Sequence, residues 1–277
     1  MPSDDGIFIS GHLRNGRSHP LWQMATTCIY HHWQFYFPVL LNHFEISKPL
    51  TSYHEHNKDS KGGYLINKLL EGENIALISD AGMPGISDPG SVIVQRCIEK
   101  MIDFEVLPGA TAITTALVYS GLDTTKFLFR GFLPRENKDR KVVTDALMQS
   151  QETLIFYEAP HRLIDTLEFL LETFGDRKIA VCRELTKLYE EIYRGSLSEA
   201  LHHFEEKKPR GEFVLVLEGK KLEDIREEQK ESWINLSIEE HILKYVNDGM
   251  NKKDAIKLVA KERELPKSEV YKFSTNI

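Results

Sequence analysis

Ile75-Ala76-Leu77-Ile78-Ser79-Asp80-Ala81-Gly82-Met83-Pro84-Gly85-Ile86-Ser87-Asp88-Pro89-Gly90 is a short apolar run that stops at a carboxylate, with three glycines and two prolines in the next ten residues. A continuous apolar run bounded by turn formers is the mark of a strand buried on both faces, as in a parallel sheet. Glycine lacks the Cβ that would keep a ligand off the backbone, and proline stiffens the path between turns. The loop leaves the carboxyl end of the strand, which is where open α/β sheets bind small molecules. Phe104-Glu105-Val106-Leu107-Pro108-Gly109-Ala110-Thr111-Ala112 repeats the design.

Outward from this stretch, helical and extended segments alternate. A helix is expected over 63–71, strands from Ile75 and Phe104, a helix over 91–101 between them, and an apolar helix over 110–120 ending at Gly121. Residues 40–123 thus read as an α/β domain with a parallel sheet. A second α/β or α+β domain, 124–220, opens with Lys126-Phe127-Leu128-Phe129-Arg130-Gly131-Phe132-Leu133-Pro134. It continues through helices over 139–150, 161–174 and 196–206 and strands over 153–157, 178–182 and 213–217. Residues 221–277 hold a charged connector and two or three short helices, laid out like a helix-turn-helix with turns at Gly249 and before Pro266.

With 277 residues and 41% apolar content, the chain reads as a folded soluble protein. A formal charge of −7 argues against a generally basic nucleic-acid coat, although a local basic patch fits within it. Cys28, Cys97 and Cys182 form neither a metal knuckle nor a paired framework, so a cytoplasmic protein without structural metal is expected. The apolar stretch over 28–41 is broken by His31, His32, Gln34 and Pro38, which excludes a bilayer span, and no basic segment precedes it as in a signal peptide.

Several motifs then occur in order: the Ser79-to-Gly90 loop, Pro108-Gly109-Ala110, Gly131-Phe132-Leu133-Pro134, Tyr157-Glu158-Ala159-Pro160-His161-Arg162, Arg183-Glu184-Leu185-Thr186-Lys187 and Arg210-Gly211-Glu212-Phe213. Together they resemble the ribosomal RNA small subunit methyltransferase I family, cytidine-2′-O-methyltransferases of the tetrapyrrole methylase superfamily. The resemblance runs from about residue 40 to 277. It implies two α/β domains of tetrapyrrole methylase type with a cofactor cleft between them and a small helical tail. It also implies S-adenosyl-L-methionine as cofactor, 16S ribosomal RNA or the small ribosomal subunit as partner, and a homodimer.

On this reading Asp80, Ala81, Gly82, Pro84, Gly85 and Asp88 offer carboxylates and close backbone groups to the cofactor, and Pro108, Gly109 and Ala110 supply a second backbone edge. Methyl transfer to a ribose hydroxyl is an in-line displacement, so it draws on orientation and on a base that takes the hydroxyl proton. Glu158, His161, Glu184 and Lys187 are the candidates for catalysis. Arg162 and Arg183 suit phosphate contacts, and Tyr157 suits stacking on a base. The same side chains equally read as an ion-pair network that joins strand ends. A small-molecule methylase of the tetrapyrrole type and an inactive RNA-binding relative are the alternative functions.

Other features carry plainer readings. His54-Glu55-His56 lacks a third metal ligand and reads as a loop or substrate-side contact, and Gly62-Gly63 as a turn and helix start. Arg135, Lys138, Arg140 and Lys141 form a basic run near the expected cleft. Lys252, Lys253, Lys257, Lys261, Arg263, Lys267 and Lys272 suit a solvated face as well as an RNA contact, because acids are interspersed.

Residues 1–39 do not resemble the family, whose members open on a strand ending in a Thr-Pro-Ile-Gly-Asn-Leu turn. The first 44 residues hold only four charges, Asp4, Asp5, Arg14 and Arg17, where the 28% of the whole chain would place about 12. They also hold five of the eleven histidines and two of the three tryptophans. The stretch reads as out-of-frame coding. On that reading a core strand and one wall of the cofactor pocket are missing, and weak cofactor binding and poor stability are expected.

Overall fold

The structure, a computed structural model, describes residues 7–10, 27–31, 41–43, 45–79 and 83–274. In chain order the first elements are β1 (Ile7–Ser10), β2 (Thr27–His31), β3 (Leu50–Ser52), α1 (Lys58–Leu70), β4 (Ile75–Ser79), α2 (Gly90–Lys100), β5 (Phe104–Val106) and α3 (Ala112–Ser120). Then come β6 (Phe127–Phe132), α4 (Asn137–Asp145), β7 (Thr153–Glu158), a 3₁₀ turn (Pro160–Arg162), α5 (Leu163–Phe174), β8 (Lys178–Arg183), β9 (Glu191–Ser196), α6 (Leu197–Glu206) and β10 (Phe213–Leu217). The remainder is helical: α7 (Leu222–Ile234), α8 (Ile238–Asn247), α9 (Lys252–Glu262) and α10 (Lys267–Lys272). The chain divides into two compact units, residues 1–133 with 154–217, and residues 134–153 with 218–277.

The first unit contains two sheets. In one, the strand order is β3-β2-β4-β1-β5 and the pairings are parallel. Ile75, Ala76, Leu77 and Ile78 are all buried, as expected for a strand covered on both faces. Leu65, Ile66 and Leu69 of α1 and Ile93 and Cys97 of α2 pack with Tyr53, Ile75 and Leu77 into one core. Each fully buried large apolar side chain contributes about 1.5–3 kcal/mol. Gly62 and Gly63 lie inside α1, not at its start. A Cβ on Gly62 would meet the Arg96 guanidinium of α2 at 2.2 Å, so glycine lets that side chain cross the helix closely.

The expected gap in this sheet is filled. β1 sits between β4 and β5, with Ile7 opposite both Ile75 and Phe104, and β2 sits between β3 and β4. A ladder asks only for extended backbone, and Ile-Phe-Ile-Ser and Thr-Cys-Ile-Tyr-His are rich in β-branched and aromatic residues. Runs of four and five residues are too short to show a strand period in a stretch without longer periodicity.

The second sheet has the order β6-β7-β10-β8-β9, with β10 antiparallel to both β7 and β8, and β8 antiparallel to β9. β9 is an addition to the sequence reading. It is an edge strand, Glu-Ile-Tyr-Arg-Gly-Ser, with too little apolar alternation to stand out. α3, which follows β5 in the chain, packs Ile113, Ala116 and Leu117 against Ile155, Ala180, Cys182, Val214 and Val216 of this second sheet.

In the second unit the charged connector is helix α7, largely exposed but for Trp233. Ile242 of α8, Ala255, Ile256, Val259 and Ala260 of α9 and Val270 of α10 form the tail core. Ser237 caps α8 in a reciprocal pair with Glu240, and Asn251 caps α9. The four-residue turn between them, Asp248-Gly249-Met250-Asn251, uses Gly249 at φ +94. Among the described residues no helix is long and apolar enough to cross a membrane.

Candidate active site

All strands of the parallel sheet present their carboxyl ends at one edge. β4 and β5 flank β1, so the loops that follow them depart roughly 9.5 Å apart, two strand spacings. Asp80, Ala81 and Gly82 lie outside the described residues. Beyond them the loop after β4 is braced from within. One oxygen of Asp88, Oδ1, accepts the backbone N–H of Gly85 and of Gly90, both at 2.7 Å. A Cβ on Gly90 would stand 2.8 Å from that same oxygen and from the Gly85 nitrogen, so the turn closes only around glycine. Gly85 is at φ +88 and Pro84 is buried. The buried Tyr53, just past β3, donates its hydroxyl to the Pro89 carbonyl at 3.3 Å and ties the loop to the end of β3, two strands away in the sheet.

The loop after β5 carries Pro108 and Ala110 exposed and Gly109 half-buried. It ends at Thr111, whose hydroxyl accepts the Thr114 N–H and starts α3. Because α3 belongs to the core of the second sheet, this loop runs from the edge of one sheet to the flank of the other.

The second set of candidates gathers at one end of the second sheet. Antiparallel register sets Glu158, Phe213, Arg183 and Glu191 in a row across β7, β10, β8 and β9. The Glu158 carboxylate is fully buried. It accepts the Ala159 N–H at 2.8 Å and the Thr166 hydroxyl at 2.6 Å, and lies 3.4 Å from Arg162 Nε. Arg162 also donates to the Leu133 carbonyl at 2.9 Å. Tyr157 packs edge-on to Phe129 at 4.9 Å and near Phe132 at 5.7 Å, and its hydroxyl pKa is raised by burial and then by Glu212. His161 is exposed on the 3₁₀ turn.

Opposite them, two loops lock together. Glu184 N–H donates to the Glu212 carbonyl at 3.0 Å and Glu212 N–H returns to Glu184 Oε1 at 2.8 Å. Lys187 reaches Glu184 at 3.3 Å and Glu212 at 2.9 Å. Burial works against the Lys187 charge, but the two carboxylates outweigh it and raise its pKa. Glu184 and Thr186 hold φ of +47 and +65, a left-handed conformation that non-glycine residues adopt only under constraint. Arg183 donates to the Arg210 carbonyl at 2.8 Å and to Glu191 at 3.1 Å. Arg140, part of the expected basic run, is buried, with its Nε on the Pro134 carbonyl.

The folded chain thus gathers Pro84, Gly85, Asp88, Pro108, Gly109 and Ala110 at one sheet edge, and Tyr157, Glu158, His161, Arg162, Arg183, Glu184 and Lys187 at the end of the other sheet. Glu191, Arg210 and Glu212 brace the second group without being among the site residues expected from the sequence. Their partners are strands or loops away, and only the motif Arg210-Gly211-Glu212-Phe213 hinted at two of them. His54 and Glu55 are occupied locally, the first bonding Asn57 and the second pairing with Lys58. No cluster of three or more candidate metal ligands occurs among the described residues.

Residues 25–201 match the tetrapyrrole (corrin/porphyrin) methylases. The chain belongs to this family, within it to the ribosomal RNA small subunit methyltransferase I group, and is an S-adenosyl-L-methionine-dependent methyltransferase. It is 49% identical over 232 residues, 84% of this chain and 80% of the relative, to "Ribosomal RNA small subunit methyltransferase I" of Halalkalibacterium halodurans. The protein of that name in Bacillus subtilis is 50% identical over 82% of this chain and 78% of its own length. Among solved structures, diphthine synthase (TM-score 0.60, 14% identity, 78% of this chain and 90% of that one) shares the fold. So does the methyltransferase CobJ (TM-score 0.57, 17% identity, 78% and 94%). The family match begins at residue 25 and so includes β2, ahead of the position where the resemblance in the sequence sets in.

The residues present suit the cofactor. The loop after β5 exposes Pro108 and Ala110 beside Gly109, which leaves its backbone open to an extended nucleoside and amino-acid ligand, and the Asp88 brace fixes the loop after β4 in advance.

Proposed function

We propose that the chain transfers the methyl group of S-adenosyl-L-methionine to the 2′-hydroxyl of a cytidine ribose in 16S ribosomal RNA, as a cytoplasmic homodimer. The observation that carries this reading is the 49% identity across four-fifths of a relative bearing the ribosomal RNA methyltransferase name. The gathering of the same motifs at strand ends supports it. The cofactor supplies a methyl carbon activated by its sulfonium. Pro84, Gly85, Pro108, Gly109 and Ala110, with Asp80, Ala81 and Gly82, hold it through backbone groups and the Asp80 carboxylate. Asp88 acts through the loop it braces.

Roles in the second group follow from what each side chain has left to give. Glu158 and Glu184 have their oxygens engaged by backbone and side-chain donors, which suits them to positioning. Lys187, kept protonated by two carboxylates, suits an RNA phosphate better than proton abstraction. His161 is exposed on a turn anchored by Arg162 and Glu158, and it is the side chain we assign to accept the ribose proton. Arg162 and Arg183 orient RNA phosphates, and Tyr157, packed against two phenylalanines, offers only its outer edge to a base.

The test is transfer of labelled methyl from the cofactor to purified 30S subunits, with corrin and porphyrin acceptors as the competing arm, followed by mass spectrometry of the nucleosides. Label in 2′-O-methylcytidine supports the reading, and label in a macrocycle or in a base methyl refutes it. His161→Ala should lower kcat at least a hundredfold while leaving cofactor affinity unchanged.

A further inference from the structure

Charge in the tail is segregated by helix. α7 and α8 together hold seven carboxylates against Arg226, Lys230 and Lys244, whereas α9 and α10 hold six lysines against three carboxylates. On α9 the residues Ala255, Ile256, Val259 and Ala260 face the tail core, and Lys253, Lys257 and Lys261, four apart, form an exposed stripe. At about 1.5 Å per residue the stripe is about 12 Å long. Lys267 is exposed on α10, and Tyr271, one turn later, is 61% exposed.

Two of the acids among these lysines, Asp254 and Glu262, are engaged elsewhere. Asp254 is turned to the Asn251 cap, which bonds it through both its backbone N–H and its side chain, and the Glu262 carboxylate accepts the Tyr245 hydroxyl at 2.9 and 3.0 Å. Arg263 is turned inward, with Nε on His241 Nδ1 at 3.1 Å and its guanidinium against the Trp233 ring. Lys253, Lys257, Lys261 and Lys267 form no ion pair among the described residues. Solubility is served by interspersed signs, so a single-sign stripe braced by a buried polar network marks a surface for a polyanion.

We propose that the exposed face of α9 and α10 is a second RNA contact. Lys253, Lys257, Lys261 and Lys267 meet phosphates and Tyr271 stacks on an unpaired base, which adds affinity for the ribosomal RNA at a distance in sequence from the methyl-transfer residues. This rests on the ribosomal RNA reading of the chain and assigns it a second point of attachment. The contact carries no sequence information of its own, because phosphate contacts position and do not specify.

The test uses the full-length chain, a 16S ribosomal RNA transcript and 30S subunits. The triple variant Lys253→Glu, Lys257→Glu, Lys261→Glu is compared with the corresponding triple glutamine variant and the unchanged chain. Binding is followed across a salt series, with cofactor calorimetry as the check of folding. We expect the glutamate variant to bind RNA at least tenfold more weakly near physiological salt, and the slope of log K against log salt to shrink by about two to three. The glutamine variant should fall between, and both should bind the cofactor like the unchanged chain. Equal RNA affinity and salt slope in all three proteins would overturn the proposal. If the slope shrinks but the unchanged chain methylates no ribosomal RNA, the surface stands and the cytidine reading fails. If methylation of RNA is seen without any change of slope, the surface alone fails.

Discussion

Glu158 has the side chain a catalytic carboxylate would need, but folding has given both its oxygens other work. Its neighbours Ala159, Thr166 and Arg162 all engage it. Breaking a buried, hydrogen-bonded charge pair costs more than the pair adds, because the remaining charge is stranded. Glu158→Ala should therefore lower unfolding free energy by about 3 kcal/mol in urea titration, and Glu158→Gln, which keeps one acceptor, by less than half of that. Gly211 is at φ +86, and a Cβ there would stand 2.6 Å from Glu184. Gly211→Ala should displace the Glu184 loop and cost about 2 kcal/mol, with a fall in kcat at nearly unchanged cofactor affinity. In the other loop, Asp88→Ala frees the Gly85 and Gly90 amides from their shared acceptor. We expect cofactor affinity to drop about tenfold by calorimetry, and Asp88→Asn, which still accepts, to lose less.

At the scale of elements, the tail helices are joined by a polar cluster as well as by apolar packing. His241 is fully buried, stacked on Trp233 at 4.9 Å, and accepts from Arg263, so its proton sits on Nε2. Burial, then Arg263 and Lys244, push its pKa down to about 4. The unfolded chain takes up that proton near pH 6.5, before the folded one does. Stability from this group is thus complete above pH 6.5 and is lost as pH falls from 6.5 towards 4. Glu262 Oε2, 3.2 Å from Nε2, pulls the other way, so we expect a loss of about 1–2 kcal/mol, not the roughly 3 of the full shift. Denaturation at pH 7 and pH 5 checks this, and His241→Gln, which keeps an acceptor for Arg263, should flatten the difference. The helix-turn-helix layout was visible in the sequence from the turns at Gly249 and Pro266. That α7 is helical and that the cations of α9 divide into an inward arginine and outward lysines was not, since interspersed charges read alike on a helix face and in a solvated linker.

For the whole molecule, the parallel sheet is continuous through β1 and β2, and this reverses the expectation of a missing strand. Calorimetry should show the intact chain binding S-adenosyl-L-methionine. A chain lacking residues 1–10 should lose that binding and aggregate, because β4 and β5 would each expose an unpaired edge. From the sequence alone came the alternation of strands and helices, the two glycine- and proline-rich loops, the order of the motifs and the tail. These are local signals, carried by the period of apolar residues and by the few residue types that turns accept. Only the tertiary structure decided that Ile7–Ser10 completes the first sheet and that α3 serves the second. It likewise decided that Asp88 and Glu158 brace loops from within, and that Glu191 and Glu212 hold Arg183 and Lys187. Each of these depends on register and on contacts between residues far apart in the chain, and neither leaves a periodic mark in the sequence.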